Sequence, residues 1–308
     1  VTANELLALL GRAWSRLLLY PGGLAAFGLV WLIALIPKPA SSAKRQEPIR
    51  LEGSGFLILS AVAMPWLALA LLPLPLAVAL PRQIDIIVAL ALLEWPQLLA
   101  IGQRLRAGDT RRLAAALNGY PPLILATLAL AQPAGSLEVA ALARLPGDLA
   151  SESAKALHWL GALALALALP PALGIGPFAD EPRPTTDTRQ INHKRLERRS
   201  SLRGWVSIRH SVAGAFAAGA IEIGLRLRGL GLVALAALPW SGTQDDSGWA
   251  LLRMLAAAIL IAALLWGYDR LAREQPARRW ARAYLAFDAT LLLALMWAAY
   301  QALQARLG

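Results

Sequence analysis

Long, continuous apolar runs separated by polar links dominate the chain, with no sustained alternation at period two. A helix needs about 20 apolar residues to cross roughly 30 Å of hydrocarbon. Eight runs come near that length, at 17–36, 56–72, 84–101, 113–131, 156–175, 205–240, 249–267 and 284–303. Their unbroken Ala/Leu-rich character predicts helices and not the alternating strands of a barrel. The predicted fold is an all-α, polytopic transmembrane helical bundle of about eight spans, forming a single transmembrane domain over 1–308. Pro121 and Pro122 are expected to kink the fourth helix, and Pro73, Pro75 and Pro81 blur the end of the second. The run 205–240 would be about 54 Å long as one helix, so it is expected to tilt, break or begin in the cytoplasm. The first run has full span length and no small-x-small site before Pro37, so it is expected to be retained and not cleaved as a signal peptide. No repeat of 20 to 50 residues is visible, which excludes solenoids.

Composition sharpens this picture. Hydrophobic residues make up 57% of the 308 and charged ones 16%, yet the net charge is +11 and the mean hydropathy +0.53. Such values coexist only if basic and apolar residues are segregated along the chain. Of the 30 Lys and Arg residues, 20 fall in the links after runs one, three, five and seven, the longest being the basic loop 178–204. The positive-inside rule then puts those links in the cytoplasm and both termini outside, which an even span count requires. A nucleic-acid site would gather its charge on one module, so nucleic acid is not an expected partner, whereas anionic lipid headgroups are. Trp205, Trp240, Trp249 and Trp280 stand at run ends, where indole favours the headgroup region; helix packing is the competing explanation for each.

Candidate chemistry is sparse. There is no cysteine and there are three histidines, which leaves no disulfide, no iron–sulfur ligation by this chain and no histidine-rich metal site. Phosphate-binding, dinucleotide, zinc-protease and serine-hydrolase motifs are all absent, so no catalytic residue is expected and any cofactor chemistry must come from partners. His193 and His210 lie in or beside the basic loop and read as solvated; His158 opens the fifth run beside Trp159 at the outer interface.

Ionisable residues inside apolar runs carry the sharper signal. A charge at mid-bilayer costs roughly 2.5 to 3.5 kcal/mol on insertion scales and normally faces a bundle interior or a water path. Glu94 lies about 15 Å along its run and has no charged residue four positions on. It is either a protonated acid bonded to a neighbouring helix or a proton carrier. Glu222, Arg226 and Arg228 form a charged triad in mid-run, with acid and base four apart in the favoured order; it is either a structural ion pair or a polar axis for protons or a charged ligand. Asp288, one turn into the eighth run, is expected to bridge to the arginines of 270–282, and Arg253 to snorkel. The small residues between Ala213 and Ala220 permit close helix approach.

A family resemblance emerges from motifs in collinear order. Leu19-Tyr20-Pro21-Gly22-Gly23 looks like the Leu-Tyr-Pro-Gly that opens the first helix in the membrane-anchor subunit of membrane-bound nickel–iron hydrogenases and formate hydrogenlyase, a homologue of the quinone-site membrane subunit of respiratory complex I. Gly108-Asp109-Thr110-Arg111-Arg112, followed by a helix and Gly135-Ser136-Leu137, is similar to that family's Gly-Ser-Ser-Arg loop and closing Gly-Ser. Pro177-Phe178-Ala179-Asp180 resembles the opening of its loop between helices five and six, and Ile221-Glu222-Ile223 with Arg228 resembles its Ile-Glu-Trp followed by a lysine. The chain departs from the family in three places. The amphipathic Arg-x-Gly-Pro segment is replaced by the link 37–55, the Glu-Pro of helix four is Tyr120-Pro121, and the acidic loop is mostly basic, keeping Asp180, Glu181, Asp187 and Glu197.

The resemblance implies a divergent, non-catalytic membrane-anchor subunit of an energy-converting oxidoreductase complex in a bacterial or archaeal inner membrane. Its implied partners are antiporter-like membrane subunits and a peripheral iron–sulfur, hydrogenase-like arm, with the clusters in those partners and a quinone as the small molecule of the site. Arg111, Asp180, Glu181, Asp187 and Glu197 would belong to loops docking the arm; Glu94, Glu222, Arg226, Arg228 and Asp288 would line a proton or polar route. Two rivals stand beside this reading. One is a transporter acting alone, with the charged triad binding substrate at midplane; the other is an inert scaffold whose acids fix packing.

Overall fold

The computed structural model describes residues 3–35, 55–77, 84–106, 117, 119–143, 152–178, 207–242, 248–272 and 277–307. Among them the chain is helical, with one isolated antiparallel bridge between Asp85 and Glu138. The helices are α1 Ala3–Leu18, α2 Gly23–Leu35, α3 Gly55–Leu71, α4 Ile86–Arg106, α5 Tyr120–Ala134, the single turn α6 Val139–Leu142, α7 Glu152–Leu173, α8 Ser207–Ala237, α9 Gly248–Ala272 and α10 Ala277–Leu307. Short 3₁₀ turns follow α7 at Gly176–Phe178 and α8 at Leu238–Trp240. Among the described residues three segments are long and apolar enough to cross a membrane: Gly11–Leu32, Glu152–Leu173 and Gly248–Ala272. Gly55–Leu71 and Ile86–Gly102 are shorter apolar helices.

The outer surface carries the same message. Leu264, Trp266, Leu285, Leu293 and Trp297 are all more than 60% exposed on α9 and α10. Apolar exposure on this scale is incompatible with water contact in a monomer and is the ordinary lipid-facing surface of a helical membrane protein. Inside, α8 is the hub, packing on α2, α3, α4, α7 and α9, while α5 and α7 form the tightest pair and α10 lies against both. The core joins Leu69, Leu93, Leu130, Leu165, Leu169 and Leu232.

Two local features differ from the sequence-based expectation, and a third removes a break from the alternatives open to the longest run. The first apolar run is interrupted: an amphipathic helix α1 ends at Leu18, a cis Tyr20–Pro21 peptide follows, and α2 starts at Gly23. A Cβ on Gly23 would overlap the Leu18 carbonyl, so the close backbone approach at this break needs glycine there. Pro121 and Pro122 do not kink a helix. They occupy its first turn, after Gly119 at the N-cap, where a missing N–H costs nothing because no carbonyl waits for it. The run 205–240 holds one unbroken helix over 31 residues, about 46 Å by rise per residue, that ends in the 3₁₀ turn at Pro239.

Prolines within or beside helices free carbonyls that an apolar environment cannot hydrate, and for Pro21, Pro65 and Pro171 a neighbouring helix meets the freed group. Pro21 has no N–H for the Leu17 carbonyl, which accepts the Trp66 indole N–H at 3.0 Å. Pro171 leaves the Leu167 carbonyl open, and Tyr284 Oη of α10 donates to it at 2.8 Å. Pro65 leaves the Ala61 carbonyl open, and Gly224 of α8 faces it so closely that a Cβ there would overlap the oxygen. Gly231, seven residues on, lies against the Leu93 side chain of α4, and Gly224 also approaches Pro96 of α4. Residue numbers rising along α8 therefore meet numbers falling along α4, so the two helices are antiparallel. Gly161 of α7, 2.9 Å by its virtual Cβ from Leu130 N, and Gly119, 2.7 Å from Ala172 Cα, draw α5 and α7 together antiparallel in turn.

A Gly224→Ala substitution should lower stability in detergent by about 1–3 kcal/mol through this overlap. Gly219→Ala, on the same helix with open space around it, should change it by less than about 0.5 kcal/mol. Thermal unfolding of the two variants side by side checks the difference.

Candidate functional site: a buried ion pair at a four-helix junction

Glu94 and Arg228 are separated by 134 residues in sequence and meet in the interior. Their side chains are 6% and 5% exposed. Gly224, Arg228 and Gly231 lie at spacings of four and three on α8, so they share one face. The two glycines bring that face against α4, and the arginine between them reaches Glu94. Trp95, the next residue on α4, anchors the helix to α3 through its indole N–H to Ser60 Oγ at 2.9 Å.

One carboxylate oxygen takes almost all the donors. Glu94 Oε2 accepts from Arg228 Nε at 2.9 Å and lies 2.9 Å from Arg228 Nη2; it also accepts from Tyr120 Oη at 3.0 Å. Arg228 Nη2 donates in addition to the Ala172 carbonyl at 2.6 Å. That carbonyl is open for a definite reason. Helix α7 is closed by Gly174, with φ +66, in a Schellman pattern, Ile175 N–H bonding Pro170 O and Gly174 N–H bonding Pro171 O, and this leaves the next carbonyl to find a partner elsewhere. Four helices thus contribute to one cluster: α4 the acid, α8 the base, α5 a phenol from its first residue, α7 a helix-end carbonyl. Glu94 Oε1 is buried with no hydrogen-bond partner. It is the cluster's open acceptor, the atom to which a water or a proton can add without displacing Arg228 or Tyr120.

The sequence-predicted site residues divide accordingly. The charged triad of α8 is split: Arg228 turns inward, while Glu222 and Arg226 pair with each other at 2.5 Å on the helix surface, with side chains 50% and 27% exposed. Helical geometry explains this, since positions 222 and 226 are one turn apart and 228 is displaced by about 200° from 226. Asp288 of α10 does not bridge to an arginine among the described residues; its Oδ1 is buried without a hydrogen-bond partner. Arg111, Asp180, Glu181, Asp187 and Glu197 lie outside the described residues. Tyr120 is the functional side chain that sequence reasoning passed over. It stands where the resembling family has an acid before proline, and that position was the available signal. His158 is 1% exposed and not solvated. It bonds the Pro239 carbonyl and packs edge-on to Trp159 at 5.9 Å; its Nε2 has no partner.

A groove of about 370 Å³ lies between α7, α9 and α10, lined by Leu167, Pro170, Leu264, Tyr268, Trp280 and Phe287 among others. A quinone head group would need donors for its carbonyl oxygens. Tyr284 Oη is committed to Leu167, and Tyr268 Oη and Trp280 Nε1 are enclosed in the wall. Those last two donors border the groove and have no hydrogen-bond partner. Among the described residues no group of three or more His, Cys, Asp or Glu side chains is placed to hold a metal ion.

Removing one member of the pair leaves a buried charge alone. Glu94→Leu or Arg228→Met should each cost about 3–5 kcal/mol, whereas the double substitution should cost less than either single one. Tyr120→Phe should cost about 1 kcal/mol. A double-mutant cycle of thermal unfolding in detergent measures all three.

No protein-family model matches this chain, and no curated protein matches it.

Proposed function

We propose that the chain is a non-catalytic membrane-anchor subunit of an energy-converting oxidoreductase complex, similar to the quinone-site membrane subunit of complex I and its hydrogenase homologues. In this reading α2, α3, α4, α5, α7, α8, α9 and α10 are eight spans of a bacterial or archaeal inner membrane, with both termini outside. The basic links, 178–204 foremost, dock a peripheral arm that carries the iron–sulfur clusters, beside antiporter-like membrane subunits. The collinear motifs from Leu19 to Arg228 support the kinship, and the charge asymmetry of the links supports the orientation.

The observation that carries a coupling role is the Glu94 cluster. Two hydrogen bonds, from Arg228 Nε and Tyr120 Oη, and the ionic contact of Arg228 Nη2 hold Glu94 at Oε2 and leave Oε1 as the atom at which a relay would carry its proton. Buried ionisable groups of spanning helices mark proton relays by default. Glu94 and Arg228 therefore take the central place on the polar route, and Glu222 and Arg226 stand apart from it. The kinship also implies a quinone as the small molecule of the site.

The same cluster has a purely structural reading as a clasp, favoured by the two hydrogen bonds and the ionic contact that converge on Oε2. Glu94→Gln separates the two, since it keeps the shape and an acceptor while removing the ionisable group. Coupled proton movement by the reconstituted complex should fall at least tenfold with assembly intact; unchanged movement would establish the clasp. Kinship is tested by mild extraction of the tagged chain, mass spectrometry and metal analysis. Co-purified iron–sulfur and antiporter-like subunits are expected. Recovery of a stable, iron-free chain alone would overturn the complex and leave the stand-alone transporter, to be assayed in liposomes.

A further inference from the structure

The groove between α7, α9 and α10 has an aromatic end and a hydrocarbon end. Ile261, Leu265 and Tyr268 of α9 and Trp280, Tyr284 and Phe287 of α10 line it, each trio at spacings of four and three and so on one helix face. Tyr268 and Trp280 meet edge-on, with ring centroids 5.0 Å apart, close to where α9 ends at Ala272 and α10 begins at Ala277. Ile261 and Phe287 lie about 10 Å further along their helices by rise per residue. Leu163 and Leu264, also in the lining, are more than half exposed, so the groove opens on the molecular surface. At its aromatic end Trp280 Nε1 is buried with no hydrogen-bond partner. An indole N–H can only donate, and leaving it unmet in apolar surroundings is unfavourable. The same end is cationic. The segment 270–282 holds five arginines and one acid, Glu274; Asp269, just before it, accepts the Gly176 N–H at 3.0 Å. Arg279 is exposed and stands about 100° round α10 from Trp280, on the flank of the groove face. α9 is long and apolar enough to cross a membrane, about 37 Å by rise per residue against roughly 30 Å of hydrocarbon, so its ends reach the headgroup layers.

We propose that this groove binds an anionic phospholipid of the surrounding bilayer. One acyl chain lies between Leu264 and Phe287, an ester carbonyl accepts from Trp280 Nε1, and the negatively charged headgroup meets Arg279 at the arginine-rich end. The proposal needs α9 to cross a membrane, and it goes beyond the complex proposed above because no partner subunit enters it. Charge complementarity selects this occupant. Basic segments beside a spanning helix attract anionic headgroups, and an acyl chain reaches an open apolar groove without leaving the bilayer. A quinone head is neutral and makes no use of the arginines. A second copy, related by an axis along the membrane normal, would bring its own arginines to the same level and repel. A phospholipid supplies tail, acceptor and negative charge in the order in which the groove presents its apolar length, its N–H and its cation.

The test reconstitutes the chain in phosphatidylcholine vesicles containing a trace of phosphatidylglycerol, or of phosphatidylcholine, with a photoactivatable diazirine on one acyl chain. Adducts are mapped by mass spectrometry after digestion. Phosphatidylglycerol adducts should concentrate on Leu264, Ala283 and Phe287, at least fivefold above Leu252 and Ile259, which are exposed on α9 outside the groove. The phosphatidylglycerol probe should label the groove at least fivefold more than the phosphatidylcholine probe. Ala283 lines the groove and is itself exposed, so Ala283→Phe fills the space from the surface; it should lower labelling of Leu264 at least fivefold. Arg279→Gln, a surface change that leaves the groove's shape alone, should cut the preference for phosphatidylglycerol at least threefold and leave phosphatidylcholine labelling unchanged. Labelling spread evenly over the exposed leucines would overturn the site, as would labelling of Leu264 that persists in Ala283→Phe. Equal labelling by the two probes, or a preference untouched by Arg279→Gln, would overturn headgroup recognition. Loss of the adducts on adding a short-chain ubiquinone would give the groove to a quinone and overturn the phospholipid as its occupant.

Discussion

The constraint on which the structure depends is that an apolar environment leaves no water for a backbone carbonyl or a charge, so each must be satisfied by another part of the chain. The prolines make this constraint visible. Wherever Pro21, Pro65 or Pro171 removes a helix donor, the orphaned carbonyl meets a group from another helix: an indole from α3, a glycine Cα from α8, a phenol from α10. Helix ends obey the same rule. Arg16 Nη2 donates to Leu72 O at the end of α3, Tyr20 Oη to Pro75 O just beyond it, and Arg228 to Ala172 O at the end of α7. The links between helices are therefore polar contacts at defined points set in an otherwise featureless apolar packing. They fix register and rotation, which Ala/Leu surfaces alone cannot specify.

Glycine makes those contacts reachable. The hydrogen bond from Arg228 to Glu94 needs α8 and α4 to approach more closely than side chains on both helices would allow, and Gly224 and Gly231 supply the space on either side of the arginine. Gly119 does the same for Tyr120 by seating the start of α5 on the last turn of α7. The buried pair and the small residues are thus one device. A charge cluster in the interior exists only because the backbones around it are close enough to enclose it, and enclosure in turn makes the unpaired Oε1 consequential. In water that oxygen would be one more hydrated atom; at this junction it is the single polar acceptor left open in a cluster otherwise closed on itself.

α8 organises function as it organises packing. Its inward face carries the base of the cluster, and its outward face carries a second ion pair at the same level of the helix. Two ion pairs thus sit on different faces of one central helix, one buried and one at its surface.

Much of this could be read from the sequence, and the rest could not, for a definable reason. The helical class, the apolar runs and the special standing of Glu94 and Arg228 follow from hydropathy and from the cost of charge in hydrocarbon, both properties of local composition. The break at Tyr20–Pro21 and the start of α5 at Tyr120–Pro121 were written in local chemistry too, in the glycines and prolines that permit those backbones, but two functions of proline, kinking and starting a helix, look alike in a sequence. What only the tertiary structure decided is pairing. Glu94 lacks a partner at helical spacing and finds it 134 residues away; Arg228 groups with Glu222 and Arg226 by sequence alone, and the rotation of α8 turns it inward. Contacts within a helix are governed by spacing, which a sequence displays. Contacts between helices depend on the relative rotation and approach of whole elements, and these were set by a few glycines, a freed carbonyl and a helix end acting together.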